Sequence, residues 1–127
     1  YELVVVTNQP DVARGTQGRG AVDAINDELG RRLGIAHFRV CFHDDADQCG
    51  CRKPMPGLLV DAARELSLDL AGSFMIGDRW RDVEAGRRAG VKTVWLDFGY
   101  RERQPETYDF RTHTLREAAT WITAQQA

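Results

Sequence analysis

All three cysteines of this 127-residue chain fall in one stretch, Cys41-Phe42-His43 to Cys49-Gly50-Cys51, with one of its three histidines among them. Cys-x-His, five residues, then Cys-x-Cys brings four thiolate or imidazole ligands within eleven residues. That donor set suits a closed tetrahedral zinc site with no position left for a substrate water, hence a structural rather than a catalytic metal. Gly50 lets the backbone wrap closely around an ion. An odd cysteine count and a Cys-x-Cys pair explain a disulfide framework poorly. Incidental buried thiols remain the plainer alternative. A bound zinc contributes about 10–16 kcal/mol in small peptides, enough to hold residues 41–53 as a loop without a core of its own. It would also fix the two cations that follow, Arg52 and Lys53.

A second set of polar residues is scattered along the chain. Thr7-Asn8 closes an apolar run, Lys53 precedes Pro54, and Asp78 and Asp82 frame Gly77-Asp-Arg-Trp-Arg-Asp82. Each has an ordinary reading. Thr-Asn forms turns, a lysine before proline is solvated, and an aspartate at a strand-to-helix junction caps the helix. Taken together, a hydroxyl, a lysine and metal-binding carboxylates are what a phosphoryl group needs.

The elements that must position these residues alternate. Residues 2–6 read as a buried parallel strand ending at Thr7, and Gly15, Gly18 and Gly20 as a flexible loop. Val22, Ile25, Leu29 and Leu33 recur at helical spacing before a stop at Gly34. His37–Phe42 reads as a second strand leading into the cysteine loop. Pro56 opens a helix with Leu58, Leu59, Ala62, Ala63 and Leu66 as its stripe. Ser73–Ile76 is a third strand, Asp82–Ala89 a helix stopped by Gly90, and Val91–Leu96 a fourth strand, nearer an edge. Thr114-Leu-Arg-Glu117 is a capping box opening a last helix, with Leu115, Ala118, Ala119 and Ile122 inward. Strand and helix in alternation predict a three-layer, doubly wound α/β sheet, with ligands at the carboxyl ends of the strands.

The length predicts one domain over residues 1–127. Hydrophobic residues make 43% and charged ones 28%, with a net charge of −2, which gives no electrostatic case for nucleic acid or anionic membranes. No apolar run reaches a membrane span and no signal peptide is visible, and thiols kept for a metal point to the cytoplasm. The chain begins within a strand, which reads as a cut.

Val-Val-Val-Thr7-Asn8-Gln, then Cys-x-His…Cys-x-Cys-Arg-Lys-Pro-x-Pro-Gly, then Met-Ile-Gly-Asp78-x-x-x-Asp82 resembles the haloacid dehalogenase superfamily from about Leu3 to Tyr100. The cysteine loop is similar to that of the small-capped branch whose members hydrolyse heptose 1,7-bisphosphate or histidinol phosphate. The resemblance implies a phosphatase working through an aspartyl-phosphate. Thr7, with Asn8 beside it, would hydrogen-bond the transferring phosphoryl and Lys53 would neutralise its charge. Asp78 would ligate Mg²⁺, supported by Asp82. Arg14, Arg52 and, more weakly placed, Arg79 would contact the rest of the substrate. Cys41, His43, Cys49 and Cys51 would hold Zn²⁺.

One departure weighs against these matches. The family's Asp-x-Asp, which supplies nucleophile and acid/base, follows an apolar strand at the centre of the sheet. No such strand precedes an Asp-x-Asp here, because the acidic run Asp44-Asp45-Ala46-Asp47 lies in the cysteine loop. The chain is therefore expected to lack its nucleophile, one Mg²⁺ carboxylate and a central strand, to be inactive alone, and either to aggregate or to form a strand-exchanged oligomer. Pro10-Asp11 also departs from the Ser-Gly common in the heptose enzymes. A zinc-stapled, inactive domain that binds a phosphorylated ligand or a partner chain is the competing reading.

Overall fold

The computed structural model describes residues 1–125. They fall into two compact units, Tyr1–Arg52 and the residues from Lys53 on. All strand pairing is parallel, in two sheets, β1-β2 and β3-β4-β5. No helix among the described residues is long and apolar enough to cross a membrane.

In the first unit, β1 (Val4–Asn8) pairs with β2 (His37–Cys41), Val4 facing His37 and Asn8 facing Cys41. Pairing runs two residues further than the β-branched run suggests. The Gln9 amide still donates to the Cys41 carbonyl at 2.7 Å, so Thr7 and Asn8 end the strand rather than follow it. The expected glycine loop is present but short, over residues 14–18 with Gly15 and Gly18 in it: α1 (Pro10–Ala13), with proline in its first turn, precedes it, and α2 (Arg19–Leu33) already includes Gly20. Gly34 stops α2 with φ 68°, as expected of a left-handed cap.

The buried line of α2 is not the predicted one. Val22 and Asn26 are buried, while Ile25, Leu29 and Leu33 are 54%, 42% and 63% exposed. The inward row continues to Gly30, where a Cβ would lie 3.0 Å from the Phe38 ring. Close approach of helix to strand at Gly30 thus sets the face, and the bulkier row turns outward.

The second unit runs α3 (Gly57–Leu66), β3 (Phe74–Gly77), α4 (Trp80–Ala89), β4 (Lys92–Leu96), β5 (Phe110–Thr112) and α5 (Leu115–Ala124). Side chains alternate across its sheet. Phe74, Ile76, Val94, Leu96 and Phe110 point to one face and pack with Ala118, Trp121 and Ile122 of α5. Trp121 stacks on Phe110 and meets Phe74 edge-on, at centroid distances of 5.0 and 5.9 Å. Met75 and Thr93 take the opposite face, against α4 at Gly86, where a Cβ would lie 2.8 Å from Met75 and 2.9 Å from Thr93. This unit therefore shows the expected layering, a helix on each side of a parallel sheet.

Three expectations need correcting. β4 is the central strand, not an edge, because β5 pairs outside it. Three residues is too short for β5 to leave a periodic signal in the sequence. In α5 only Ala118 and Ile122 of the predicted stripe are buried, with Leu115 62% exposed and Trp121 taking its place against the sheet. Pro56 is the N-cap of α3 rather than its first residue.

Candidate functional site

The cysteine loop starts where β2 ends. Cys41, 1% exposed, is the last strand residue, and the chain then turns through Asp44, which caps a 3₁₀ turn at Asp45–Asp47. Asp44 Oδ1 accepts from the Ala46 amide and Asp47 Oδ2 from the Asp44 amide, both at 2.9 Å. The acidic run thus serves turn formation, and Asp45 is engaged separately by Arg52 Nε at 2.7 Å.

That turn returns the backbone to its start. The ligand atoms of Cys41, His43, Cys49 and Cys51 all lie within 4.8 Å of one another. Cys49 Sγ is 3.6 Å from both Cys41 and Cys51, and His43 Nδ1 is 3.5 Å from Cys41 and 3.3 Å from Cys51. A tetrahedral zinc with Zn–S near 2.3 Å and Zn–N near 2.0 Å has S–S edges of about 3.8 Å and S–N edges of about 3.5 Å, so these four edges lie within about 0.2 Å of the ideal. The Cys41–Cys51 edge, 2.7 Å, is shorter. The three thiols are not bonded to one another. Burial, above all, raises the Cys41 and Cys51 thiols. At Cys49 burial works the same way, but hydrogen bonds from the Arg52 amide and from the Cys41 and Cys51 thiols outweigh it and bring the thiol down to about 7. One thiol is thus poised to ionise near neutrality, as a metal ligand must.

In the second unit, Lys53 Nζ lies 2.7 Å from Asp82 Oδ1, and both residues are 8% exposed. Asp82 stands in the first turn of α4, and its Oδ2 accepts from the Arg79 amide at 3.2 Å. A carboxylate there caps the helix and meets its dipole, which is the ordinary reading of this residue and holds for it. Both oxygens of Asp82 are therefore engaged by the chain. Gly77 makes the arrangement possible: a Cβ on it would lie 2.1 Å from Asp82 Cβ.

Asp78 follows directly, at the carboxyl end of β3. Its Oδ2 accepts from the Tyr100 hydroxyl at 2.8 Å, and its Oδ1 has no partner among the described residues. That free, hard oxygen beside an uncharged donor fits Mg²⁺ ligation. Arg79 ion-pairs with Glu102 at 3.4 Å and lies over the Tyr100 ring, 5.3 Å from its centroid.

The remaining predicted residues belong to the first unit. Thr7 and Asn8 close β1, and Thr7 Oγ1 accepts from Gln9 Nε2 at 3.2 Å. Arg14 lies within 3.9 Å of Asp11 and 3.8 Å of Asp44. Arg52 is held by Asp45, with its side chain 12% exposed. Tyr100, Glu102 and Asp45 were not singled out from the sequence. The Asp97-Phe-Gly99 turn after β4 was the available signal for Tyr100.

Comparison with known proteins shows which family the chain is similar to. The HAD-hydrolase-like family model matches residues 50–118. D-glycero-beta-D-manno-heptose-1,7-bisphosphate 7-phosphatase of Bordetella bronchiseptica is 38% identical over 101 residues, covering 76% of this chain and 56% of that protein. The Mesorhizobium japonicum protein of the same name is 36% identical over 132 residues, covering 92% and 58%. The chain thus spans somewhat over half the length of these relatives. Among solved structures, the B. bronchiseptica D,D-heptose 1,7-bisphosphate phosphatase complexed with magnesium and phosphate superposes with a TM-score of 0.84 at 32% identity, covering 98% of this chain and 74% of that one. With the family model matching more than half of its residues, the chain belongs to the HAD-hydrolase-like family.

Proposed function

We propose that these 127 residues form the larger part of a phosphomonoester hydrolase acting on a sugar bisphosphate of the heptose 1,7-bisphosphate type. The observation that carries this is the buried Lys53–Asp82 pair in the same unit as Asp78, whose Oδ1 has no partner among the described residues. The heptose phosphatases it resembles support the substrate class, ahead of histidinol phosphate.

In this reading a carboxylate outside the 127 residues attacks phosphorus, the sugar oxygen leaves, and water then cleaves the aspartyl-phosphate to release phosphate. Lys53 balances charge on the phosphoryl oxygens, and Asp82 holds Lys53 in place. Thr7 donates its hydroxyl to a phosphoryl oxygen, with the Asn8 amide beside it. Asp78 would hold Mg²⁺, whose charge would offset the negative charge of the phosphoryl group. Arg14, Arg52 and Arg79 are the cations available for a second phosphate, each drawn from a carboxylate partner it now engages. Cys41, His43, Cys49 and Cys51 hold a structural Zn²⁺ that fixes the loop leading to Lys53.

Phosphate release from heptose 1,7-bisphosphate and from histidinol phosphate tests this. The 127-residue chain alone should turn over neither. A longer chain that adds an apolar strand ending in Asp-x-Asp should hydrolyse the bisphosphate preferentially, and lose activity with Asp78→Asn. The second reading, an inactive ligand-binding domain, is favoured by the missing Asp-x-Asp. It prevails if the longer chain binds the bisphosphate but does not hydrolyse it.

A further inference from the structure

The loop after β4 is attached to the residue proposed to carry Mg²⁺, through a group that neither the motifs nor the family resemblance include. Asp97 starts this loop. Its amide donates to the Thr112 carbonyl at 2.8 Å, and its carboxylate accepts from the Gly99 amide and from Arg111 Nε, each at 2.9 Å. Gly99 has φ 76°, a left-handed turn that a side chain would strain, and the turn sends Tyr100 back towards β3. There its hydroxyl donates to Asp78 Oδ2 at 2.8 Å. The ring packs edge-on against Phe98 at 6.1 Å and lies under Arg79, whose guanidinium is tied to Glu102 of the same loop. Arg103, one residue on, covers the Trp80 ring at 4.1 Å. Two consecutive residues after β3, Asp78 and Arg79, are thus each held by the loop.

We infer that Tyr100 is a positioning residue for the metal: its hydroxyl fixes the Asp78 carboxylate so that Oδ1 alone is presented to Mg²⁺. This rests on the reading of Asp78 as the Mg²⁺ ligand. Mg²⁺ demands near-ideal octahedral geometry at about 2.0–2.1 Å, which the narrow bite of a bidentate carboxylate meets badly. Occupying Oδ2 with a neutral donor therefore removes an unproductive binding mode and leaves the charge of the ligand intact. A hydrogen bond to a ligating carboxylate also stops its rotation, and loss of such a partner typically weakens metal binding by about 10–100-fold. Linkage works in both directions: if Tyr100 favours the metal, the metal favours the loop conformation that brings Tyr100 to Asp78.

The test is Mg²⁺ titration by calorimetry of the longer chain that adds the Asp-x-Asp strand, with Tyr100→Phe, Tyr100→Ala and Asp78→Asn alongside, and amide exchange of residues 99–102 with and without Mg²⁺. Tyr100 is an exposed residue, so the Phe variant should keep the melting temperature of the parent. The expected result is Mg²⁺ binding weakened about tenfold by Tyr100→Phe, nearly as much as by Tyr100→Ala. Mg²⁺ should slow exchange in the loop of the parent chain but not in the Phe variant. Unchanged Mg²⁺ affinity in Tyr100→Phe overturns the inference while leaving the Asp78 reading intact. Weakening by Ala but not by Phe overturns it too, since the ring and not the hydroxyl would then be responsible. Absence of Mg²⁺ binding in the parent, or binding unaffected by Asp78→Asn, overturns the Asp78 reading and this inference with it.

Discussion

The Lys53 ammonium and the Asp82 carboxylate meet at 2.7 Å with both side chains almost wholly withdrawn from solvent. Removing one partner of such a pair leaves an uncompensated buried charge, which costs about 3–5 kcal/mol, whereas replacing both with apolar groups costs far less. Lys53→Met should therefore destabilise the chain strongly, and Lys53→Met with Asp82→Leu should recover much of the loss. Urea unfolding of the parent, both single variants and the double variant measures this. Equal destabilisation by the single and double variants would contradict it.

Gly77 is predicted to be irreplaceable for the same reason. A Cβ at this position would lie 2.1 Å from Asp82 Cβ and 2.6 Å from its Oδ2, so alanine must push the carboxylate off Lys53 and off the Arg79 amide. Gly77→Ala should cost about 1–3 kcal/mol or more, well beyond an exposed Gly→Ala change. Gly20, exposed on α2, is a fitting control, because nothing lies within 4 Å of its Cβ position. Melting temperatures of the two variants would show the contrast.

The cysteine loop should carry one zinc per chain. Elemental analysis of protein purified under reducing, chelator-free conditions checks the stoichiometry, and Cys49→Ser should abolish it. Chelation should lower the melting temperature and expose residues 42–52 to protease. Protein without zinc that keeps the loop protected would contradict the assignment.

Glu84 on α4 gives a pH signature. Hydrogen bonds first from Arg87 and then from Arg88 hold its carboxyl down at about 2, against the opposing effect of burial. The folded value lies below the ordinary one, so the stabilisation is complete above about pH 4.5 and is lost as pH falls towards 2. The carboxylate still meets solvent, which limits the contribution to about 0.3–1 kcal/mol. Glu84→Gln should lower the melting temperature slightly at pH 6, and the gap should shrink below pH 4.5 and close only as pH approaches 2.

What was legible in the sequence was whatever rests on local chemistry. The Cys-x-His…Cys-x-Cys spacing gave the ligand cluster, Gly34 and Gly90 gave two helix ends, and Thr114 gave the cap of α5. What was not legible depends on contacts distant in sequence. The buried face of α2 follows from Phe38 pressing on Gly30, which periodicity ranks below the row of Ile25, Leu29 and Leu33. The central place of β4 depends on β5, a three-residue strand. The Tyr100–Asp78 bond joins residues 22 positions apart through a turn whose only local mark is Asp97 and Gly99. Lys53 and Asp82 were each chosen singly; that they face each other is a product of the fold.

β4 alone in its sheet is hydrogen-bonded on both sides, to β3 and β5. Its Thr93, Val94 and Trp95 are buried, between α4 on one face and α5 on the other. In native-state hydrogen exchange its amides should be the last to be labelled, at the free energy of global unfolding, while the Asp97–Glu106 loop exchanges through small local openings. The segment that grips Asp78 therefore grows directly out of the most slowly exchanging strand. That junction allows residues 99–102 to respond to a ligand in microseconds to milliseconds while the strand that anchors them stays closed for as long as the unit is folded.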